Sequence, residues 1–561
     1  MTATDGARDA SLVEILRGGE SAARVPGWLQ WVDDEATRWG DSINPILVKE
    51  TRQALKSRQF VVTFSLLLLA AFAWSVIGSL LQMPQIYYSP SAPRLLVGYY
   101  FVLAVPMLLV VPLAAYRSLE GEVDDGTLEL LTVTSLSPVQ IVTGKLGSAA
   151  LQMMLYFIVL FPCVAYAYTL RGIDLPTLGL LVGILMLAGI GLTMVALFLA
   201  PVSPGRTGQI AALLAVMAIL LSAEIGIGTL AINLIRNGNP LSASQTAFIV
   251  VATLAISVSL MGILLVATAA KLTPASENRS TKVRVASLVH MFAVVAVSAF
   301  SVMAYPNQTN GMFGISAAIL LLGYVILFWM IVGAMMAAES PSLTPRIRRE
   351  LPGTFVGRLF FTWLTPGPAT GFVFAITTLV ATATAANWLY AESSSQASLS
   401  GQQAETIRTA TVLVIAYLSI GFVGVRGIIS FLRQRNPVDA RVGIAALAVT
   451  LLLMAVVPYG LGLHLNDYRQ YEYSIWQSPN WAWTLELAIR GRLESEVVYL
   501  VAAAGAIAFF GHLMLLGQRV LPQRLATPER VEAEYRRMAG LTLIAEPETD
   551  PLGLGNREPT T

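Results

Sequence analysis

Twelve long apolar runs restrict what this chain can fold into more than any other feature. Each run matches the roughly 20 apolar residues that a helix needs to cross a bilayer. Strict alternation of apolar and polar residues is missing from them, which argues against a membrane β-barrel. The sequence therefore predicts an all-α polytopic membrane protein, with spans near residues 60–81, 95–116, 147–170, 175–199, 210–234, 246–269, 285–304, 312–338, 369–390, 409–425, 442–463 and 497–516.

Composition agrees with this fold class. Of the 561 residues, 55% are hydrophobic and only 12% are charged, against about 25% charged residues in a soluble domain. A formal net charge of +2 excludes a strongly basic nucleic-acid-binding protein, so we expect membrane lipids and no nucleic acid around the chain. The one cysteine, Cys163, lies inside an apolar run, which leaves neither an intramolecular disulfide nor a thiolate metal site.

The distribution of lysine and arginine predicts how the spans are oriented. With the N-terminus in the cytoplasm, the outer connections hold only Arg94, Arg171, Arg236, Arg408, Arg469, Arg490 and Arg492, and most other basic residues lie on the inner side. Cytoplasmic connections are enriched in basic residues. We therefore expect a multi-pass protein of the plasma (inner) membrane with both termini in the cytoplasm.

A polar, acidic segment separates the second and third runs. It contains Glu120-Gly-Glu-Val-Asp-Asp-Gly-Thr-Leu-Glu-Leu-Leu131, followed by Leu-Ser-Pro138. Acidic side chains before Thr127 favour a helix start at that residue, and Ser137-Pro138 marks the start of the helix that enters the third run. The positive-inside pattern puts the segment in the cytoplasm, where it can contact a protein outside the bilayer.

Two further features precede this segment. Residues 44–60 begin with Asn44-Pro45, a common helix start, and then mix basic and apolar residues as in a helix that lies in the headgroup region. An ordinary basic flank of the first span fits that stretch equally well. The second run contains Pro106 and Pro112, each of which removes a backbone donor and bends a helix.

The order of these features resembles the permease subunit of type-2 ATP-binding-cassette (ABC) exporters. A basic approach helix, a proline-bearing second span, Glu-x-x-x-Gly-Thr-Leu-Glu-Leu-Leu, Leu-Ser-Pro and Gly-Lys follow one another within about residues 44–270. In that family, the loop between spans two and three is a coupling helix that docks on a cytoplasmic ATPase. The resemblance implies that the docking contact is made by Glu120, Glu122, Gly126, Thr127, Leu128, Glu129, Leu131, Ser137 and Pro138.

The same resemblance implies the partners and cofactors. ATP and magnesium would be bound by the separate ABC ATPase subunit, with no cofactor in this chain. A second permease copy or a paralogue would complete the membrane assembly. The chain itself would not be an enzyme, and no catalytic residue is predicted in it.

The chain departs from the family pattern in two respects. Val123-Asp124-Asp125 is acidic where a basic residue is usual, and six further runs follow residue 270, where a minimal family member would end. We therefore divide the chain into a cytoplasmic amphipathic segment (1–43), a permease core with connecting and coupling helices (44–270), an additional six-span region (271–520) and a partly disordered cytoplasmic tail (521–561).

Glu224 is the strongest candidate for a translocation residue. It lies inside the fifth run among small residues, which permit close helix packing, and ionisable groups inside spans are costly and mark functional sites. A glutamate that hydrogen-bonds a neighbouring helix is the structural alternative. No metal site is predicted because the three histidines are far apart in sequence, and Gly144-Lys145 lacks the spacing of a phosphate-binding loop.

Three classes of function stay open. The resemblance favours a permease that couples ATP hydrolysis by a separate subunit to translocation of a substrate. An ion-coupled secondary transporter also commonly has twelve spans, but it should contain several carboxylates inside the membrane or a basic Gly/Asp loop between spans two and three. A membrane scaffold or regulatory subunit that transports nothing is the third class.

Cysteine labelling in intact cells tests the orientation. In a Cys163→Ser background, Thr134→Cys should react with a membrane-impermeant maleimide only after the cells are permeabilised, because the loop is predicted to be cytoplasmic. Ser474→Cys, in a predicted outer connection, should react in intact cells. Labelling at position 134 from outside intact cells would show that the predicted orientation is wrong.

Overall fold

The computed structural model describes residues 44–126, 136–202, 205–274, 277–304, 312–341, 344–350, 354–396, 401–435, 438–469, 472–520 and 528–538. Over these residues the regular secondary structure is helical and contains no strands. Twelve of the described helices are long and apolar enough to cross a membrane. The protein is an all-α polytopic membrane protein, which confirms the predicted fold class.

Short connections join the spans, and several shorter helices lie between or beside them. In chain order the helices are α1 Pro45–Lys56, α2 Arg58–Leu81, α3 Ala92–Asp124, α4 Pro138–Thr169, α5 Leu175–Leu199, α6 Arg206–Asn237, α7 Ala243–Leu272, α8 Thr281–Ala304, α9 Met312–Ala337, α10 Pro345–Glu350, α11 Phe355–Phe361, α12 Pro368–Gln396, α13 Gly401–Arg433, α14 Val442–Leu465, α15 Trp481–Ile489, α16 Ser495–Val520 and α17 Glu529–Met538.

Each predicted span coincides with one long helix, but α3 extends well beyond its apolar run. It continues to Asp124 and so includes residues that the sequence assigns to the loop. The middle of α3, Val105–Val110, is a π-helix that has Pro106 in its first turn. Proline has no backbone donor, and local π-helical geometry is one way for a membrane helix to accommodate it.

The chain forms two compact units. The first comprises Met1–Ala247 and Ala267–Leu272, and the second comprises Phe248–Val266 and Thr273–Thr561. The division runs through α7, so the middle of this span belongs to the second unit. The predicted domain boundary after residue 270 stays a prediction. The predicted segment 1–43, and the predicted tail apart from residues 528–538, lie outside the described residues.

An apolar core joins the helices of the first unit. Tyr99 and Met107 of α3, Met153 and Tyr156 of α4 and Leu185 of α5 are all buried in it. α3 is the most buried span of this unit, with 61% of its apolar window buried, whereas only 11% of the corresponding window of α2 is buried. α3 is therefore the central span of the first unit, and α2 is a peripheral one.

The second unit contains a fully buried cation, Arg284, in the first turn of α8. Its Nη2 atom lies 2.7 Å from Oε2 of Glu339, just after α9. Its Nη1 atom donates to the carbonyl oxygens of Trp363 and Thr365, at 2.5 and 2.6 Å. The backbone amide of Gly367 donates to the same Glu339 oxygen at 2.7 Å. One guanidinium therefore ties α8, the end of α9 and the turn that leads into α12.

We expect Arg284→Met to destabilise the protein strongly. The substitution leaves Glu339 without its cation, and losing one member of a buried ion pair costs about 3–5 kcal/mol. Arg490→Gln is the matched control, because Arg490 forms an exposed pair with Glu486 at 2.6 Å and exposed pairs contribute about 0–1 kcal/mol. The measurement is the thermal unfolding midpoint of the purified protein. Equal midpoints for the two variants would contradict the central role of Arg284.

Candidate functional site

The helix that approaches the first span begins where the sequence predicts. The side chain of Asn44 accepts a hydrogen bond from the backbone amide of Ile46 at 3.0 Å, and Pro45 is the first residue of α1. Asn44 also donates to the carbonyl oxygen of Gln140 at 2.6 Å, which fastens the start of α1 to α4. A Cβ atom at Gly144 would lie 2.8 Å from Cγ2 of Ile46. Glycine is therefore needed for α1 to lie this close to α4.

Beside this contact, four polar side chains form a cluster that we call the Lys145 node: Glu50 of α1, Ser118 and Glu122 of α3, and Lys145 of α4. The Lys145 Nζ atom lies 3.1 Å from Oε1 of Glu50 and 3.1 Å from Oε1 of Glu122, and it donates to Oγ of Ser118 at 2.7 Å. Only 2% of the Lys145 side chain is exposed. An ammonium has three donors, so three oxygens from two neighbouring helices surround one buried cation.

The acidic residues near the end of α3 have partners within the first unit. Glu120 accepts a hydrogen bond from the hydroxyl of Tyr116 at 3.1 Å, and Asp124 accepts one from Nε2 of Gln209 at 2.6 Å. Glu122 belongs to the Lys145 node. Glu120 and Glu122 thus lie on a helix, whereas the sequence assigns them to a loop, because these partners stabilise α3 beyond its apolar run. Their contact with an ATPase stays a prediction.

The remaining predicted docking residues flank or occupy the connection between α3 and α4. Gly126, just after α3, has a φ of +65°, in the left-handed region that favours glycine. Ser137 and Gln140 form a reciprocal capping box at the start of α4, with Pro138 as its first residue. This confirms the predicted helix start. Thr127, Leu128, Glu129 and Leu131 lie outside the described residues, and their docking role stays a prediction.

The translocation candidate Glu224 lies on the face of α6 that packs against α3. Gly228, one turn further along α6, is buried close to Tyr100 of α3, and a Cβ atom there would lie 3.7 Å from the Tyr100 hydroxyl. Both Glu224 carboxylate oxygens and the Tyr100 hydroxyl are buried without a hydrogen-bond partner among the described residues. The first unit therefore brings two unsatisfied polar groups together in its interior.

The irregular segment of α3 separates these two sites. Tyr100 precedes the π-helix Val105–Val110, and Ser118 and Glu122 of the Lys145 node follow it on the same helix. π-helical segments inside α-helices occur frequently at functional sites. A single span therefore connects the predicted cytoplasmic node to the Glu224–Tyr100 pair through a stretch of non-standard helix.

Glu50 and Ser118 are site residues that the sequence does not single out. Lys145 is indicated only by the Gly144-Lys145 pair, one of the features that resemble the permease family. Lys145 and Glu50 are 95 residues apart in the chain, and no local pattern reveals that they meet. The helix start at Asn44-Pro45, followed by basic residues, is the one signal in the sequence that predicts an approach helix containing Glu50.

The described residues contain no group of three or more His, Cys, Asp or Glu side chains that could hold a metal ion. The buried His290 of α8 instead makes local polar contacts. Its Nδ1 atom lies 2.9 Å from Oγ of Ser259, and its Nε2 atom is hydrogen-bonded to the hydroxyl of Tyr324.

We expect Glu224→Gln to leave the protein at least as stable as the wild type. A buried carboxylate without a partner is unfavourable when charged, and glutamine keeps its shape without the charge. The thermal unfolding midpoint should stay the same or rise by the equivalent of about 1 kcal/mol. Glu339→Gln is the contrasting control, because it removes a carboxylate that is paired with Arg284, and it should lower the midpoint. A comparable loss in both variants would show that Glu224 has a stabilising partner.

No family model, no curated protein and no solved structure matches this chain.

Proposed function

We propose that this chain is the membrane-spanning permease subunit of an ATP-driven ABC exporter, which works with a separate cytoplasmic ATPase. The Lys145 node is the observation that supports this proposal most directly. It joins the approach helix α1 to both helices that flank the predicted docking loop. In an exporter of this kind, closure of the ATPase has to be passed from that loop to the spans.

The geometry suits such a transfer. Glu122 lies in the last turn of α3, and Lys145 lies two turns into α4. Their ion pair links the two ends of the loop, and Glu50 extends the link to α1. A force on the loop would therefore act on α1, α3 and α4 together and not on one of them alone.

α3 supplies a route from the node to the membrane interior. Its π-helical segment lies between the node and Tyr100, and the Tyr100 hydroxyl lies beside Gly228, one turn from Glu224 on α6. A change in that irregular segment would alter the contact between α3 and α6, where the unsatisfied carboxylate lies. We therefore assign Glu224 and Tyr100 to the translocation pathway and the Lys145 node to its control.

ATP and magnesium belong to the partner in this proposal. Gly144 and Lys145 lie inside α4, and the Lys145 ammonium is already bound by Glu50, Ser118 and Glu122. This lysine is thus not available for a nucleotide phosphate. The assembly would contain two ATPase subunits and a second permease copy or paralogue in the plasma membrane, with the docking loop in the cytoplasm.

Glu224 also favours a second candidate, an ion-coupled secondary transporter, because carboxylates inside membranes commonly bind protons or cations. That function requires no ATPase. Liposomes that contain the purified chain alone and a trapped pH-sensitive dye distinguish the two. A secondary transporter would dissipate an imposed proton gradient in a Glu224-dependent manner, whereas an exporter permease without its ATPase would not.

Two substitutions separate docking from transmission in the exporter. Glu129→Lys inverts a charge on the predicted docking surface, so the ATPase should be lost, since inverting a buried interfacial charge costs roughly 2–5 kcal/mol. Lys145→Met removes the buried cation that links Glu50 to Glu122, so the ATPase should stay bound while its activity in the complex no longer depends on the permease. Lys49→Met is the matched control, because this lysine is 59% exposed and lies 3.8 Å from Glu122.

The measurement is affinity purification of the tagged chain from its native membranes, followed by magnesium-ATP hydrolysis in lipid nanodiscs. We expect a co-purifying protein with a phosphate-binding loop, loss of that protein with Glu129→Lys, and retention with Lys145→Met and Lys49→Met. If no such ATPase accompanies the wild-type chain, the exporter proposal is wrong. If Lys145→Met hydrolyses ATP as the wild-type complex does, the node does not transmit.

A further inference from the structure

A cavity with a volume of about 650 Å³ lies within the second unit. It runs along α12, α13 and α16. Several lining side chains, including Val380, Trp388, Val412 and Phe510, are exposed. Because all three helices are membrane spans, the cavity is a groove that opens sideways toward the lipid.

The floor of the groove is made by small residues in close contact. A Cβ atom at Gly505 of α16 would lie 2.7 Å from Cα of Ala416 on α13, so these two helices are in tight backbone contact there. Ala502 and Ala506 continue the floor on α16. The larger side chains of α12 stand beside this floor as a wall. The floor of the groove therefore follows from the close packing of α13 against α16.

The wall is apolar along most of its length. The hydroxyl groups that line the groove on α12 and α13 donate to carbonyl oxygens of their own helices: Thr384 to Val380, Thr411 to Ile407, and Ser419 to Ile415. Their protons are thus already donated within the helices, and these hydroxyl groups have no free donor for a ligand. Phe509 and Phe510 close the apolar end.

Polar groups are concentrated at the opposite end. Arg408 is the one charged residue among those that line the groove, and Asn387 lies at the same end, on α12. The Arg408 side chain is 64% exposed and lies 3.3 Å from Glu405 on its own helix. Such exposed ion pairs contribute little free energy, so Arg408 can leave Glu405 and bind an anionic group at little cost in stability. The Asn387 amide donates to Ala383 and keeps its oxygen as an acceptor.

The length of the groove also fits one kind of occupant. The lining residues of α13 extend from Arg408 to Ser419, which corresponds to about 16 Å at the helical rise of 1.5 Å per residue. One leaflet contributes about half of the hydrocarbon core, which is roughly 30 Å thick. An acyl chain that lies along the groove would therefore reach from the polar end to the phenylalanines.

We propose that this groove is a binding site for a membrane phospholipid, with one acyl chain in the groove and the phosphate at Arg408. The apolar wall, the small-residue floor and the single cation at one end match an amphiphile whose anionic head and apolar tail are at opposite ends. The site lies entirely within the second unit, and it does not depend on the proposed export function.

Native mass spectrometry of the purified protein tests the site, with dioleoyl phosphatidylglycerol as the titrated probe. We expect one phospholipid per chain to survive detergent exchange. Ala506→Trp fills the groove and should abolish this binding. Ala503→Trp is the matched control, since Ala503 is exposed on the same helix but does not line the groove, and it should bind as the wild type does.

A second pair of variants tests the headgroup. Arg408→Gln should weaken phosphatidylglycerol binding about fivefold, the effect of one cationic side chain near anionic lipid. Arg490→Gln removes another exposed, paired arginine outside the groove and should change nothing. Wild-type occupancy in Ala506→Trp would overturn the site. Unchanged affinity in Arg408→Gln, or detergent as the only retained molecule, would overturn it as well.

Discussion

A buried cation that joins the ends of several helices is the interaction on which each unit depends. Lys145 has this position in the first unit, and Arg284 has it in the second. A charge removed from water is tolerated only where oxygens converge on it, so the surrounding helices cannot separate without exposing an unpaired ion to apolar surroundings. Between membrane helices no hydrophobic force drives association. Such polar links therefore select which helix ends meet.

The two cations differ in the kind of joint that they make. The planar guanidinium of Arg284 donates in fixed directions to backbone carbonyls as well as to Glu339. The Lys145 ammonium is a point charge on a flexible stem, and its partners are all side chains. The joint at Arg284 is therefore rigid. The joint at Lys145 can change its geometry while keeping its ion pairs, which fits its place beside the predicted docking loop.

Local signals in the sequence predict a large part of this structure. Hydropathy predicts all twelve spans, and the helix starts at Asn44 and Ser137 follow from neighbouring residues alone. The end of α3 is different, because Glu122 resembles a loop residue until the distant Lys145 is known to bind it. The groove along α12, α13 and α16 cannot be predicted from the sequence either, since an apolar residue that faces lipid and one that lines a groove have the same hydropathy.

The contact between α1 and α4 also imposes an order on biogenesis. Asn44, Ile46 and Glu50 leave the ribosome well before the residues that receive them, and Glu50 precedes Lys145 by 95 positions. The approach helix therefore cannot dock until the third span has been synthesised and inserted. Until then α1 lacks its partners on α4, and its basic and apolar side chains suit the headgroup region of the membrane. The amphipathic character of this helix thus suits the interval before α4 is inserted as well as its position in the folded protein.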